Sequence, residues 1–484
     1  MTREEGLAIY HAGPETVLRV LLELDARILV SEQRGEDLQA QVAQLQDQLA
    51  KNSRNSSKPP STDGFQKPAP KSLREKSKRP SGGQPGHAGQ TLTMAEKPDR
   101  SETHRVDGCG RCGRSLADLT PDAMEQRQVH DLPPLRLIVT EHQAEIKRCP
   151  CGHLNKAAFP EGVNAPVQYG PGLKAAVVYL KNYQLLPYER TCELLGDLFG
   201  CPISEGTLAN ILSECHERLE QPVQQIKEQI TQAQVAHFDE SGARVETKLW
   251  WLHAASTPNA TYYEIHPKRG AEALNAIGIL TDFTGRAIHD FWRPYFGYDC
   301  AHGLCNAHHL RELVFVHEQH HQAWAGAMID CLLDIKQAVA LARPDAEHLT
   351  EDQLRAFEAR YQSVLDQGYE QNPLSPAPEG KKRGRRKKTK PRNLLERLDQ
   401  HRQQALAFMY DFNVPFDNNL AERDIRMMKV QQKISGLFRS AAGAKTFCRI
   451  RSYISTARKN AIGAFDAIAR AFTGVPFVPN FKTS

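Results

Sequence analysis

Four short stretches decide the fold: QVAHFDES (234–241), KLWWLHAAS (248–256), ATYYEIHP (260–267) and GRAIHD (285–290). Each is rich in aromatic and β-branched residues, and turn residues such as Pro258, Asn259 and Gly270 lie between them, which is the signature of strands. A short helix is expected at 271–277. Three hairpin-type strands, a helix and a further strand outline a mixed sheet with helices packed on it, in the α+β or α/β class. Helical patterns flank this sheet on both sides, at 165–220, at 303–375 and in a last region reaching about residue 472.

Two acids fall at expected strand ends, Asp239 in AHFDES and Asp290 in AIHD. A third, Glu422, opens a helix in DNNLAERDIRMMKVQQK, where Asp417 and Asn418 are the natural N-cap candidates. Aligned strand ends place two carboxylates side by side, and a crossing helix can add the third. Hard oxygen ligands in an open cluster suit Mg²⁺. Two such ions about 3.5–4 Å apart can activate a water or a 3′-hydroxyl for in-line displacement at phosphorus. Lys429 and Arg426 lie seven and four residues beyond Glu422, on nearly the same helical face, where cations can steer a DNA phosphate. Taken singly, each acid reads more simply as a solvated surface charge; the set carries the argument.

Working outward, Leu21, Leu24, Ile28, Leu38, Val42, Leu45 and Leu49 form one helical stripe, expected to break at Ser31 and Gly35. With Gln and Glu between them, residues 15–50 read as a coiled coil that would join copies of the chain. Residues 51–99 hold NSSKPPS and GGQPGH and no hydrophobic period, so a basic, disordered linker is expected. At 100–160, Cys109 and Cys112 lie 37 residues (Cys112 to Cys149) from Cys149 and Cys151. Four thiolates suit a closed, structural zinc site, and a loop-rich segment of this size has little core of its own. Cys-x-Cys is tighter than the usual knuckle, so His104 and His153 are substitute ligands, and buried thiols are the plainer alternative. At 165–225, helices are expected over 173–183 (stopped by Pro187), 189–200 and 205–219, the last capped by Ser204. Two helices joined by a Gly-containing turn give a helix-turn-helix pattern, which a small helical bundle also gives.

The chain has 484 residues, a formal net charge of +5 and 40% apolar residues, enough for several cores. The charge is uneven. Residues 51–90 carry nine Lys/Arg against two acids, and KKRGRRKKTKPR (381–392) carries nine with none, so the remainder is net acidic. Two such strips suit phosphate-backbone binding; a solubilising tether is the plainer reading of either alone. Lys381, Lys382, Arg383, Arg385, Arg386, Lys387 and Lys388 are therefore candidate DNA contacts beside Arg426 and Lys429. Eleven cysteines fall far short of a disulfide scaffold, no apolar run of about 18 residues occurs, and the opening residues lack a signal-peptide core. A cytoplasmic, nucleoid-associated protein is expected.

These motifs occur in an order that resembles transposases of insertion-sequence family sixty-six: the coiled coil, NSSKPPS, GGQPGH, the paired cysteines, LPYERTCELL, FDESG, HDFWRPYF, CNAHHLREL and VPFDNNLAERDIRMMKVQQKISGLFRS. The resemblance covers nearly the whole chain. It implies an RNase H-like catalytic domain at 232–472 whose Asp-Asp-Glu triad falls on Asp239, Asp290 and Glu422, with Mg²⁺ as cofactor and Lys429 as the basic residue after the glutamate. It also implies terminal-repeat and target DNA as partners, with accessory proteins of the same element. Cys305 and His308 look like its Cys-x-x-His signature, although a pair packing one helix onto the sheet explains them equally well. Ser241 stands where Thr is frequent and Phe291 where Gly is common; neither change removes a ligand. The 132 residues separating Asp290 from Glu422 are long for that fold, so a helical, basic insertion is expected at about 305–400. The leading expectation is a DNA transposase. The alternative is a zinc-containing DNA-binding repressor without catalysis, which would have no need of three carboxylates on a separate sheet.

Overall fold

The computed structural model describes residues 2–52, 54–56, 92–133, 135–374 and 388–479. Most of NSSKPPS, all of GGQPGH and the basic residues Lys381 to Lys387 lie outside them. The described residues form two compact units, one from 1–70, 165–191 and 204–484, the other from 71–164 and 192–203.

Helix α1 (Arg3–His11) opens on a capping box between Thr2 and Glu5. Helix α2 (Pro14–Ala50) runs without interruption, so the expected break at Ser31 and Gly35 is not there. One glycine costs a helix roughly 1 kcal/mol, and the Leu, Glu, Gln and Arg around it are good helix formers. Along α2, Leu21, Ile28, Leu38, Val42, Leu45 and Leu49 are exposed, leaving the stripe uncovered. Its far end is engaged: Asp47 pairs with Lys390 at 2.5 Å, Lys51 lies over the Phe315 ring, and Arg54 pairs with Glu318.

In the second unit, β1 (Ile146–Arg148) and β2 (Leu154–Lys156) form an antiparallel hairpin. Cys149 N–H donates to His153 O at the turn, and Cys109 N–H donates to Arg114 O in a similar knuckle. Next come α3 (Pro171–Val178), continued by a π-helical turn at Tyr179–Tyr183, α4 (Tyr188–Phe199), α5 (Glu205–Arg218) and α6 (Glu220–Thr231). Ser204 caps α5 by accepting from Thr207 N–H, as its position predicts.

The sheet consists of β3 (Val235–Val245), β4 (Lys248–Ser256), β5 (Thr261–His266), β6 (Arg286–His289) and β7 (Ala301–Leu304), with α7 (Ala271–Ile277) between β5 and β6. Its order is β5-β4-β3-β6-β7. The first three strands pair antiparallel, and β6 and β7 continue parallel from β3. Strand β7 was not expected: four residues, AHGL, carry almost no strand signal, and at Gly303 a Cβ would meet the tip of the Ile288 side chain at 2.6 Å. The remaining helices are α8 (Asn306–His320), α9 (Ala323–Ala342), α10 (Glu351–Gln371), α11 (Lys390–Gln400), α12 (Arg402–Ala405), α13 (Ala407–Tyr410), α14 (Asn419–Ser435), α15 (Ala441–Lys459) and α16 (Ala464–Phe472). The helices α3, α5 and α6, expected as a separate helical domain, pack against α15 or α16.

Two apolar cores fix the layers. Ala243, Val245, Leu252, Ala254, Tyr263 and Ile265 of the sheet bury against Ile425 and Met428 of α14 and Phe447 of α15. Ile288 of β6 buries against Leu310 and Leu313 of α8, continuous with Trp324 and the helices that follow. The expected insertion is therefore rooted in the sheet's own core.

Gly285, just before β6, has no room for a side chain: a Cβ would lie 2.3 Å from Ala233 O and 2.6 Å from Gln234 O. Gly285→Ala should therefore push β6 away from β3 and cost about 1–3 kcal/mol, read as a lower urea midpoint. An unchanged midpoint would show that this approach is not tight.

Candidate active site

Strand β3 pairs with β4 without a bulge from His237 to Val245, so its side chains alternate strictly between faces. Odd-numbered residues, including Asp239, share the face of Ala243 and Val245 that α14 covers. Asp239 thus sits within β3, not at its end as expected; the strand continues six residues beyond it. Parallel pairing of β3 with β6 runs Val235↔Arg286 to His237↔Ile288. The same register carried two residues further sets Asp239 opposite Asp290, immediately after β6.

Glu422 lies in the first turn of α14, and the helix is fixed by polar contacts at three levels. At its start, buried Asn418 donates from Nδ2 to Phe238 O (2.7 Å), bonds His237 Nδ1 through Oδ1 (2.9 Å), and donates its backbone N–H to Cys305 Sγ (3.1 Å). Asn418 is the N-cap residue by position, but its side chain serves the sheet instead of its own helix. One half-turn past Glu422, Asp424 accepts from Ser256, Thr261 and Lys459 at 2.7–2.9 Å. Further along, Gln432 and Lys429 reach Gly242 O at 3.1 and 3.4 Å. Arg426 is exposed.

The electrostatics separate two neighbouring acids. Glu240 points to the opposite face, where Arg269 donates to it at 2.5 and 2.9 Å and Tyr295 OH at 2.6 Å. Arg269 is itself held between Trp251 and Trp292. Burial raises the Glu240 carboxyl, and these donors oppose the rise. Asp239 accepts the N–H of Glu240 at 2.9 Å, and among the described residues no Lys or Arg pairs with it. Its carboxyl is held well above the usual carboxylate range, first by burial and then by the charges of Glu240, Glu422 and Asp290. Burial also raises Asp290, against Trp292 N–H at 2.8 Å and the fields of Arg269 and Arg397. Two buried carboxylates with a third near enough to raise Asp239 are hard-oxygen donors of the kind a divalent cation such as Mg²⁺ takes, but the three do not lie within 4.8 Å of one another.

Glu422 is not turned fully toward the aspartates. Its Oε1 lies 3.6 Å from His308 Nδ1, 3.9 Å from Cys305 Sγ and 4.0 Å from Arg311. Among the described residues, Cys305, His308 and Glu422 are the one set of three such ligand atoms all within 4.8 Å of one another. Burial pushes the Cys305 thiol up to about 12, and burial with Arg311 and Arg397 beside it brings His308 down to about 4.

The other expected site residues divide. Backbone groups of Arg111 and Cys112, then the Cys112 side chain, lower the Cys109 thiol, and the His153 backbone, then the Cys149 side chain, lower Cys151, but the two pairs are not gathered within that distance. At the end of the basic strip, Lys388 pairs with Glu396, as does Arg392 at 3.0 Å. Glu240, Arg269 and Asp424 carry little signal in the sequence: Glu240 adjoins Asp239 and Asp424 lies two residues from Glu422, and nothing marks Arg269. Among the described residues, no helix is long and apolar enough to cross a membrane.

A family model described as Transposase IS66 family matches residues 166–446, more than half of the chain, and a family of unknown function matches residues 17–93. No curated protein matches this chain.

The native chain keeps the Asp239 proton to higher pH than the unfolded chain does. Between the unfolded value, about 4, and the raised native one, the folded state binds more protons, so stability falls as pH rises. Without divalent cations, Asp239→Asn should melt a few degrees above the unaltered chain at pH 7, an advantage that vanishes toward pH 4. Equal melting temperatures at both pH values would mean that Asp239 is not under this strain.

Proposed function

The chain belongs to the IS66 transposase family, and from that premise we propose that it cuts the ends of its mobile element and joins them to target DNA by metal-dependent phosphoryl transfer. The observation that supports this reading is the register of β3 and β6, which, extended two residues beyond its last pair, brings Asp239 level with Asp290 on a sheet face covered by the helix bearing Glu422. The strand order, three antiparallel and two parallel, supports an RNase H-like catalytic domain.

Asp239, Asp290 and Glu422 would hold the magnesium ions, which when bound supply activation of an attacking oxygen and charge stabilisation at phosphorus. The protein's part is positional. Asn418 holds the start of α14 against the backbone next to Asp239, so the third acid cannot slide along the sheet. Arg269 and Tyr295 bind Glu240 on the far face, and among the described residues Asp239 is left without a Lys or Arg partner. Arg426 and Lys429, one and two turns beyond Glu422, give DNA phosphates a cationic approach.

The remaining parts fit the same activity. Cys109, Cys112, Cys149 and Cys151 would close on zinc and hold their segment folded, each pair already forming a knuckle. Helices α4 and α5 would read the element ends, and Lys381 to Lys388 would contact phosphates without regard to sequence. The uncovered apolar stripe of α2 would pair with a second copy.

Asp239→Ala, Asp290→Ala and Glu422→Ala should each lower strand transfer by at least about a thousandfold, within the range that catalytic electrostatics supplies. Binding to end DNA should change less than threefold, measured by gel shift alongside the joining assay. Any one variant joining DNA at the unaltered rate would remove that residue from the triad.

A further inference from the structure

We propose that Cys305, His308 and Glu422 form a binding site for a soft divalent cation of the zinc class, separate from the magnesium centre in its donor chemistry and sharing one carboxylate with it. Cys305 immediately precedes α8 and His308 is three residues later, so one helical turn presents a sulfur and an imidazole nitrogen together. Glu422 supplies an oxygen from the first turn of α14. A tetrahedral zinc site with ligand bonds of about 2.0–2.3 Å has edges of roughly 3.3–3.7 Å. Two edges, 3.6 Å from nitrogen to oxygen and 3.9 Å from sulfur to oxygen, are near that, and the third lies within 4.8 Å, so a small inward shift completes the set.

Two further features suit a bound cation. Cys305 Sγ already accepts the N–H of Asn418 at 3.1 Å, a donor that opposes the burial raising its thiol and would help hold the thiolate beside a cation. His308 Nδ1 is buried and has no hydrogen-bond partner, an unmet need that a bound ion would fill. Sulfur and imidazole select zinc over magnesium, and three protein ligands leave a fourth position open. Arg311 lies 4.0 Å from Glu422, its side chain partly exposed and its Nε buried without a partner, so little holds it against an arriving ion.

One carboxylate cannot serve both centres at full strength. Resting on the transposase reading, the consequence is that zinc at Cys305 and His308 holds Glu422 away from the aspartates and slows DNA joining, while magnesium draws it back.

The test is a Co²⁺ titration of the full-length, reduced, metal-stripped chain, followed by visible absorption. Because the paired cysteines also take cobalt, the reading is a difference. The unaltered chain should bind one more tight equivalent than either Cys305→Ser or His308→Asn, and Glu422→Gln should weaken that equivalent at least tenfold. Melting curves taken on the same samples identify any variant that fails to fold, and the other variants then decide. Equal stoichiometry and affinity in the unaltered chain and the folded variants would overturn the site. In strand transfer with Mg²⁺, added zinc should slow the unaltered chain at least tenfold and His308→Asn less than threefold relative to its own rate. Equal zinc sensitivity would overturn the shared carboxylate. A chain that joins no DNA under any condition counts against the transposase reading, with the cobalt difference still deciding the site.

Discussion

The Asn418 side chain bonds the backbone of Phe238 and the ring of His237 while its own N–H meets Cys305, so one buried residue joins β3, the start of α8 and the start of α14. Each bond contributes only about 1 kcal/mol net, but leaving any of these groups unpaired in the interior costs more. That asymmetry makes the junction specific. With Asn418 seated, α14 has one rotation and one height over the sheet, and Glu422 follows. Asp424 repeats the device one half-turn on, where its carboxylate satisfies Lys459, Ser256 and Thr261 together. Apolar packing of Ile425 and Met428 supplies the adhesion; the polar pins supply the register.

The adjacent acids Glu240 and Asp239 show how the fold distributes charge. A strand's alternation sends them to opposite faces. Glu240 meets a guanidinium and a phenol, which offset part of the cost of its burial. Asp239 meets other carboxylates, a destabilising arrangement that the fold retains. Like charge gathered in the interior without a cationic partner is what the proposed cation centre would relieve.

Much of this was legible in the sequence because it rests on local pattern. Strands β4 and β5, helix α7 and the Ser204 cap stand at or within a residue of their expected places, since alternation and turn residues write them directly. Strand β7 was hidden because four residues hold no period, and its pairing is set by β6 and not by its own composition. The continuity of α2 was hidden because Gly35 is a breaker only where neighbouring residues are weak helix formers. Asn418 looked like a helix cap because capping is what asparagine does locally; its bonds to β3 span some 180 residues and leave no trace in spacing. For the same reason, the nearness of Cys305 and His308 to Glu422 was invisible until the helices were assembled.

The central claim is that residues far apart in the chain form one cation centre. It is tested most directly by replacing Mg²⁺ with Fe²⁺ in the full-length protein and mapping the backbone cuts produced with ascorbate and peroxide. Cuts should fall in three segments at once, beside Asp239, beside Asp290 and at the start of α14. Cuts confined to the paired-cysteine segment, or to residues 305–308 and 422 with none beside Asp239 and Asp290, would contradict it.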